Sequence, residues 1–228
     1  MSLAALKKSG LMNFFSKKDS LDISIGNSNV IKLVALIFMI VDHIGAIFFP
    51  QIILFRIIGR LAFPLFLYQL SISAEKTKHP KRFVFYLLVF ALFSEFPYLL
   101  LFGLKLNILF SFLLSVLFVF ALKSKYYLAL PFIFFAAIFT DAGWYGLVLL
   151  LAFVFVRQEI FKLLLFMLIT IVSVYLSKNP IQFYSLAFIP LLFAITGFNL
   201  RLNINRHMFY FGYLGHLLLL LAIKVLIQ

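Results

Sequence analysis

The chain has 228 residues, 65% of them hydrophobic and only 12% charged, with a net charge of +13. A soluble domain carries about 25% charged residues, so a water-covered globule is excluded. Cysteine is absent, which excludes disulfides, thiol nucleophiles and thiolate metal sites.

Residues 1–30 read as a cytoplasmic tail. Within it, "LAALKKSGLMNFFSKK" fits an amphipathic helix on the inner membrane surface with Phe14 and Phe15 dipping inward. A solvated tail explains the same residues. From residue 31 to 228 the apolar runs are continuous rather than alternating, which predicts an all-α, polytopic transmembrane bundle and excludes a β-barrel. Nine segments follow: 31–49, 52–73, 83–102, 107–122, 127–140, 143–156, 160–177, 181–197 and 208–227. The fifth and sixth are short for a spanning helix of about 20 residues.

The basic residues cluster between these segments. A cytoplasmic N-terminus puts fifteen on the inner side, among them Lys32, Lys78, Lys81, Arg82, Lys123, Arg157 and Arg206, and leaves Lys105, Lys178 and Lys224 outside. This is the positive-inside pattern, so the charge points to a membrane and not to nucleic acid.

Several polar residues interrupt the apolar runs. Asp42 and His43 lie roughly 10 Å from the outer end of the first segment at 1.5 Å per residue. Arg56 and Arg60 are spaced i, i+4 on the second and share a face. Glu95 lies at similar depth on the third, where Pro97 is expected to open the hydrogen-bond ladder and help form a cavity. Asp141 sits in an outer turn, Asn107 and Gln182 begin segments at that side, and His216 lies near the middle of the last.

Four bare charges at bilayer depth would cost on the order of 10 kcal/mol, so they pair or face a wet cavity. Pairing alone explains the arginines and acids. His43 is harder to explain as glue, because an imidazole titrates near neutrality and suits a general base. Adjacent helical residues point about 100° apart, so Asp42 is expected to pair with an arginine while His43 faces the cavity. His216 is the second candidate. No GxxxxGK, GxGxxG, HExxH or GxSxG occurs, and the four scattered histidines define no metal site.

The order "IKLVALIFMIVDHIGAIFFP", "LFRIIGRLAFPLFLYQL", "SEFPYLL", "LNILFSFLLS", "TDAGWYGLVLLLAF" and "YFGYLGHLLLLL" resembles the TraX family. The resemblance runs from about residue 31 to the C-terminus, and its most specific elements are "DH" and "RxxGRxAFPxF". Leu99 and Leu214 differ from the expected pattern, where an acidic residue and a proline are usual. The family contains bacterial inner-membrane proteins linked to acetylation of conjugative pilin and is similar to transmembrane acyltransferases such as heparan-α-glucosaminide N-acetyltransferase.

That resemblance implies acetyl-CoA as acyl donor, an amine or hydroxyl acceptor on a protein such as a pilin N-terminus or on a glycan, membrane lipid as surroundings, and no metal. It implies that His43 is the base or transient acyl carrier, with Asp42, Glu95 and Arg60 beside it in the chemistry. Arg56, Asp141, Asn107, His216 and Gln182 would form the surrounding charge network, and Lys78, Lys81 and Arg82 would receive the donor's phosphates. The competing readings are a proton or solute conduit using the same charges, and a non-catalytic scaffold.

Overall fold

The computed structural model describes residues 25–103, 105–197 and 202–227. The expected interfacial helix of the tail, and the basic residues there and at Arg201, lie outside them. Among the described residues there are ten α-helices and no strand; a lone parallel bridge joins Leu106 and Thr140. In chain order the helices are α1 (Ile25–Phe48), α2 (Ile53–Gly59), α3 (Ala62–Lys76), α4 (Pro80–Phe102), α5 (Ile108–Lys123), α6 (Leu130–Ile138), α7 (Gly143–Phe155), α8 (Glu159–Ser177), α9 (Phe188–Gly197) and α10 (Arg206–Ile227). Short 3-10 turns, Tyr127–Ala129 and Pro180–Ala187, lead into α6 and α9.

The nine expected apolar segments correspond to these helices, with α2 and α3 sharing one. Six are long and apolar enough to cross a membrane: Ser28–Phe48, Ile53–Lys76, Pro80–Phe102, Glu159–Ser177, Pro180–Gly197 and His207–Ile227. Ile108–Lys123, Tyr127–Ile138 and Gly143–Phe155 are shorter. The short class therefore includes the fourth segment as well as the fifth and sixth. Large apolar side chains such as Phe93, Phe96, Leu128, Phe132 and Tyr175 face outward, as they should where the solvent is hydrocarbon. The chain is a multi-pass helical membrane protein.

The second segment is not one straight helix. Pro64 has no N–H to give and its ring opposes the carbonyl of residue 60. Here the ladder tightens: Arg60 N bonds to both Arg56 O and Ile57 O, and Leu61 N to Ile58 O. The break separates α2 from α3 immediately after the two arginines. By contrast α4 continues as one helix through Pro97 to Phe102, although Pro97 has no N–H and leaves one ladder bond unmade. Pro97 is buried there.

Helix α3 sits centrally, packed against α1, α5, α7 and α9, and buries Leu65, Leu67 and Tyr68. Around it α10 packs on α1 and α4, α4 on α5, and α5 on α7. Two glycines let α2 lie close on α1. A Cβ at Gly59 would collide with the Asp42 side chain, and one at Gly45 with Phe55. The result is two distinct ends. Lys76, Lys78, Arg82, Lys32 and His207 gather at one, while Asp42, Arg56, Lys105, Asp141 and Asn179 gather at the other.

Candidate functional site

A cavity of about 340 Å³ opens at the end that carries the buried charges. Its wall includes Asp42, His43, Arg56, Arg60, Asp141 and Gln182 among the sequence candidates. They come from α1, α2 with its C-terminal cap, the turn before α7 and the 3-10 turn after α8, so the bundle joins residues up to 140 positions apart.

Asp42 is the anchor of the charge cluster. Its Oδ2 lies 2.7 Å from Arg56 Nη1, and its Oδ1 lies 3.4 Å from Arg60 Nη2. Arg60 Nε also reaches the Arg56 carbonyl at 3.4 Å. The i, i+4 spacing thus aims both guanidiniums at one carboxylate despite the break between α2 and α3. Asp141 lies on the same wall, near enough for its charge to act on Arg56. Among the described residues both arginines pair with Asp42, while Asp141 and Lys105 add an acidic and a basic side chain to the same wall.

His43 sits between Phe102, with ring centroids 4.7 Å apart, and His216, 5.0 Å apart and nearly parallel. Its Nδ1 is 2.8 Å from His216 Nε2, and His216 Nδ1 is 3.1 Å from the Gly212 carbonyl. A carbonyl oxygen only accepts, so His216 Nδ1 carries a proton and donates it. The neutral His216 ring then offers Nε2 as acceptor, and His43 Nδ1–H donates to it. This chain leaves the lone pair of His43 on Nε2. Because His43 lines the cavity, that fixed tautomer presents a base to whatever enters, and the buried His216 sets it.

Glu95 and Asn107 are brought together, but away from the cavity wall. Glu95 Oε2 accepts from Asn107 Nδ2 at 2.7 Å and from the Asn107 backbone N–H at 3.0 Å. Asn107 Nδ2 also donates to the Ala91 carbonyl, and its Oδ1 caps α5 by accepting from Leu109 N at 2.9 Å. This is an N-cap held by a carboxylate, with the negative charge at the favourable end of a helix. The polar residues thus form two clusters: one on the cavity, one buttressing the start of α5.

Sequence reasoning passed over several wall residues: Tyr98, Lys105, Tyr145, Ser173, Ser177 and Asn179. Ser173 and Ser177 were findable, since hydroxyls at i, i+4 in an apolar helix mark one polar face. Tyr145 stands one turn after Asp141, and its hydroxyl meets Thr170 at 2.9 Å. At the opposite end a second cavity, of about 480 Å³, carries Lys78 and Arg82 on its wall, joined by Lys32, Lys76 and two histidines, His79 and His207. Lys81 is exposed and does not reach that wall. Among the described residues no group of three His, Asp or Glu side chains could hold a metal ion.

Fold and site together define a multi-pass membrane protein whose cavity is lined by an aspartate–arginine cluster and by His43, backed by the buried His216. The TraX protein family model matches residues 27–224, which is most of the chain. The chain belongs to the TraX family. The comparisons with curated proteins and with solved structures gave no match.

Proposed function

We propose that the protein is a membrane-embedded acyltransferase that moves an acetyl group from acetyl-CoA to an amine or hydroxyl acceptor in the His43 cavity. The observation that carries this reading is the imidazole chain: Gly212 O, His216 and His43 are joined by bonds of 3.1 and 2.8 Å, with His43 Nε2 free to take a proton. The acceptor N–H or O–H would lose its proton to Nε2 as its heteroatom bonds to the thioester carbonyl carbon. The C–S bond then breaks, and the thiolate of CoA takes the proton to leave as a thiol. Arg60 is only loosely held by Asp42, at 3.4 and 3.5 Å, and can stabilise the oxyanion of the tetrahedral intermediate.

The family resemblance supports a pilin N-terminus as acceptor; a glycan amine or hydroxyl satisfies the same chemistry. The positive-inside rule supports a cytoplasmic N-terminus in a bacterial inner membrane, with the His43 cavity towards the outside. In that orientation the Lys78–Arg82 cavity faces the cytoplasm. Its cations suit the phosphates of the donor, and Tyr86 and Tyr210 on the same wall suit an adenine ring.

Purified protein assayed for transfer from acetyl-CoA, with His43→Ala beside wild type, tests the reading. A base of this kind contributes roughly 10²–10⁴-fold, so His43→Ala should lose at least a hundredfold. Equal turnover by both proteins would remove His43 from the role. A second reading is favoured by one observation, the two cavities at opposite ends: a proton or solute conduit. Flux into liposomes without acetyl transfer would establish that reading instead.

A further inference from the structure

The two cavities have different walls except for four shared side chains. Among the described residues, Met39, Phe66, Ile108 and Phe112 line both. Three helices show how this arises. Helix α1 gives Lys32 to the basic cavity, Met39 to both and His43 to the other. Helix α3 gives Phe63 to the His43 cavity, Phe66 to both, and Gln69, Ser73 and Lys76 to the basic one. Helix α5 contributes Ile108 and Phe112 to both. All four shared side chains are apolar, and the Phe66 and Phe112 rings meet at 6.1 Å between centroids. Lys32 and His43 are eleven residues apart on α1, or about 16 Å at 1.5 Å per residue.

We propose that these four side chains form a septum one side chain thick, dividing two cavities that open on opposite faces of the membrane. We further propose that it selects the acyl group by size as the thioester arm reaches through it to His43. The second part rests on the acyltransfer reading; the first does not. The geometry argues for a septum rather than a plug, because a single layer of flexible Met and Phe side chains separates the cavities. A short acyl group displaces few contacts in such a layer, whereas each further methylene must find room between packed rings. The cavity beyond is small, and charges occupy much of its wall. Ions gain nothing by entering an apolar layer, so the septum also keeps the two faces electrically apart.

The natural absence of cysteine makes a direct test available. Ser73→Cys reports the basic cavity and Ser177→Cys the other. In sealed, oriented membrane vesicles, a membrane-impermeant thiol reagent should modify each variant from one face only, and from opposite faces. Labelling of both from the same face overturns the septum, even if the protein transfers acetyl groups. Opposite-faced labelling by a protein that turns over no acetyl-CoA upholds the divider and ends the acyltransfer reading, size selection included.

For size selection, Phe66→Ala should raise turnover of butyryl-CoA relative to acetyl-CoA at least tenfold over wild type. Phe112→Leu, a milder change that guards against misfolding, should move the ratio in the same direction. Ratios within twofold of wild type in both folded variants overturn the selecting role.

Discussion

Asp42 and Glu95 look alike in sequence: each is a carboxylate about two turns from the same end of an apolar helix. Folded, they do different things. Asp42 stands on a cavity and holds two arginines that also face it. Glu95 is enclosed by Asn107 and secures the first turn of α5. Depth in the membrane makes a carboxylate need a partner; the partner decides whether the charge remains available to a ligand. A carboxylate spent on backbone and amide N–H groups of one helix start has little left to offer, whereas one shared between two guanidiniums on a cavity wall can be reapportioned when a ligand arrives.

Removing Asp42 should produce the largest effect. Asp42→Ala removes the carboxylate that pairs with both Arg56 and Arg60 and leaves Asp141 as the remaining acid on that wall; breaking a buried pair costs about 3–5 kcal/mol. Partial exposure of Arg56 to the cavity, at 33%, should bring the loss towards the lower end. Thermal unfolding in detergent should show a clear drop, and acetyl transfer should fall with it. Asp42→Asn keeps the shape but not the charge, and should retain more stability than activity. If Asp42→Ala unfolds no earlier than wild type, the cluster is not what holds α2 on α1.

Glu95→Gln comes next and should invert that balance. It loses two charge-assisted hydrogen bonds, each worth about 1.5–3 kcal/mol, part of which the amide oxygen restores. Stability should fall measurably while transfer per folded molecule stays within about threefold of wild type. Transfer that collapses while stability is untouched would place Glu95 in the chemistry and end the contrast with Asp42. Asn107→Ala should follow Glu95→Gln with a smaller loss from the cap itself, about 1 kcal/mol, read from the same melting curves.

The contrast also explains what was legible beforehand. Continuous apolar runs gave the helical bundle and the nine segments, because in lipid every backbone group must bond within its own helix. The i, i+4 spacing of Arg56 and Arg60 is local, and it carried through to a shared carboxylate. Long-range choices were not readable. Nothing near Glu95 says that the residue twelve positions later will turn back to cap α5 on it, and nothing near His43 says that His216, 173 positions away, will set its tautomer. Pro64 and Pro97 teach the same lesson from the backbone. Both lie inside apolar segments; the first coincides with a helix break, while the second sits in a helix that continues past it.

The smallest expected effect separates two basic residues in the first turn of α4. Arg82 and Lys81 are neighbours with the same charge sign, yet Arg82 lines the basic cavity and Lys81 does not. If that cavity receives the phosphates of acetyl-CoA, Arg82→Ala should raise the KM for acetyl-CoA several-fold with kcat little changed, because a phosphate contact distant from the reacting carbon acts on binding. Lys81→Ala should leave both within twofold, since a solvated cation contributes only a screened field. Raising salt should narrow the difference without abolishing it, because Arg82 acts by contact and Lys81 only at a distance. Equal shifts in KM for the two variants would mean that the start of α4 attracts the donor as a diffuse positive surface, and the donor's phosphates would then have to be sought outside this cavity.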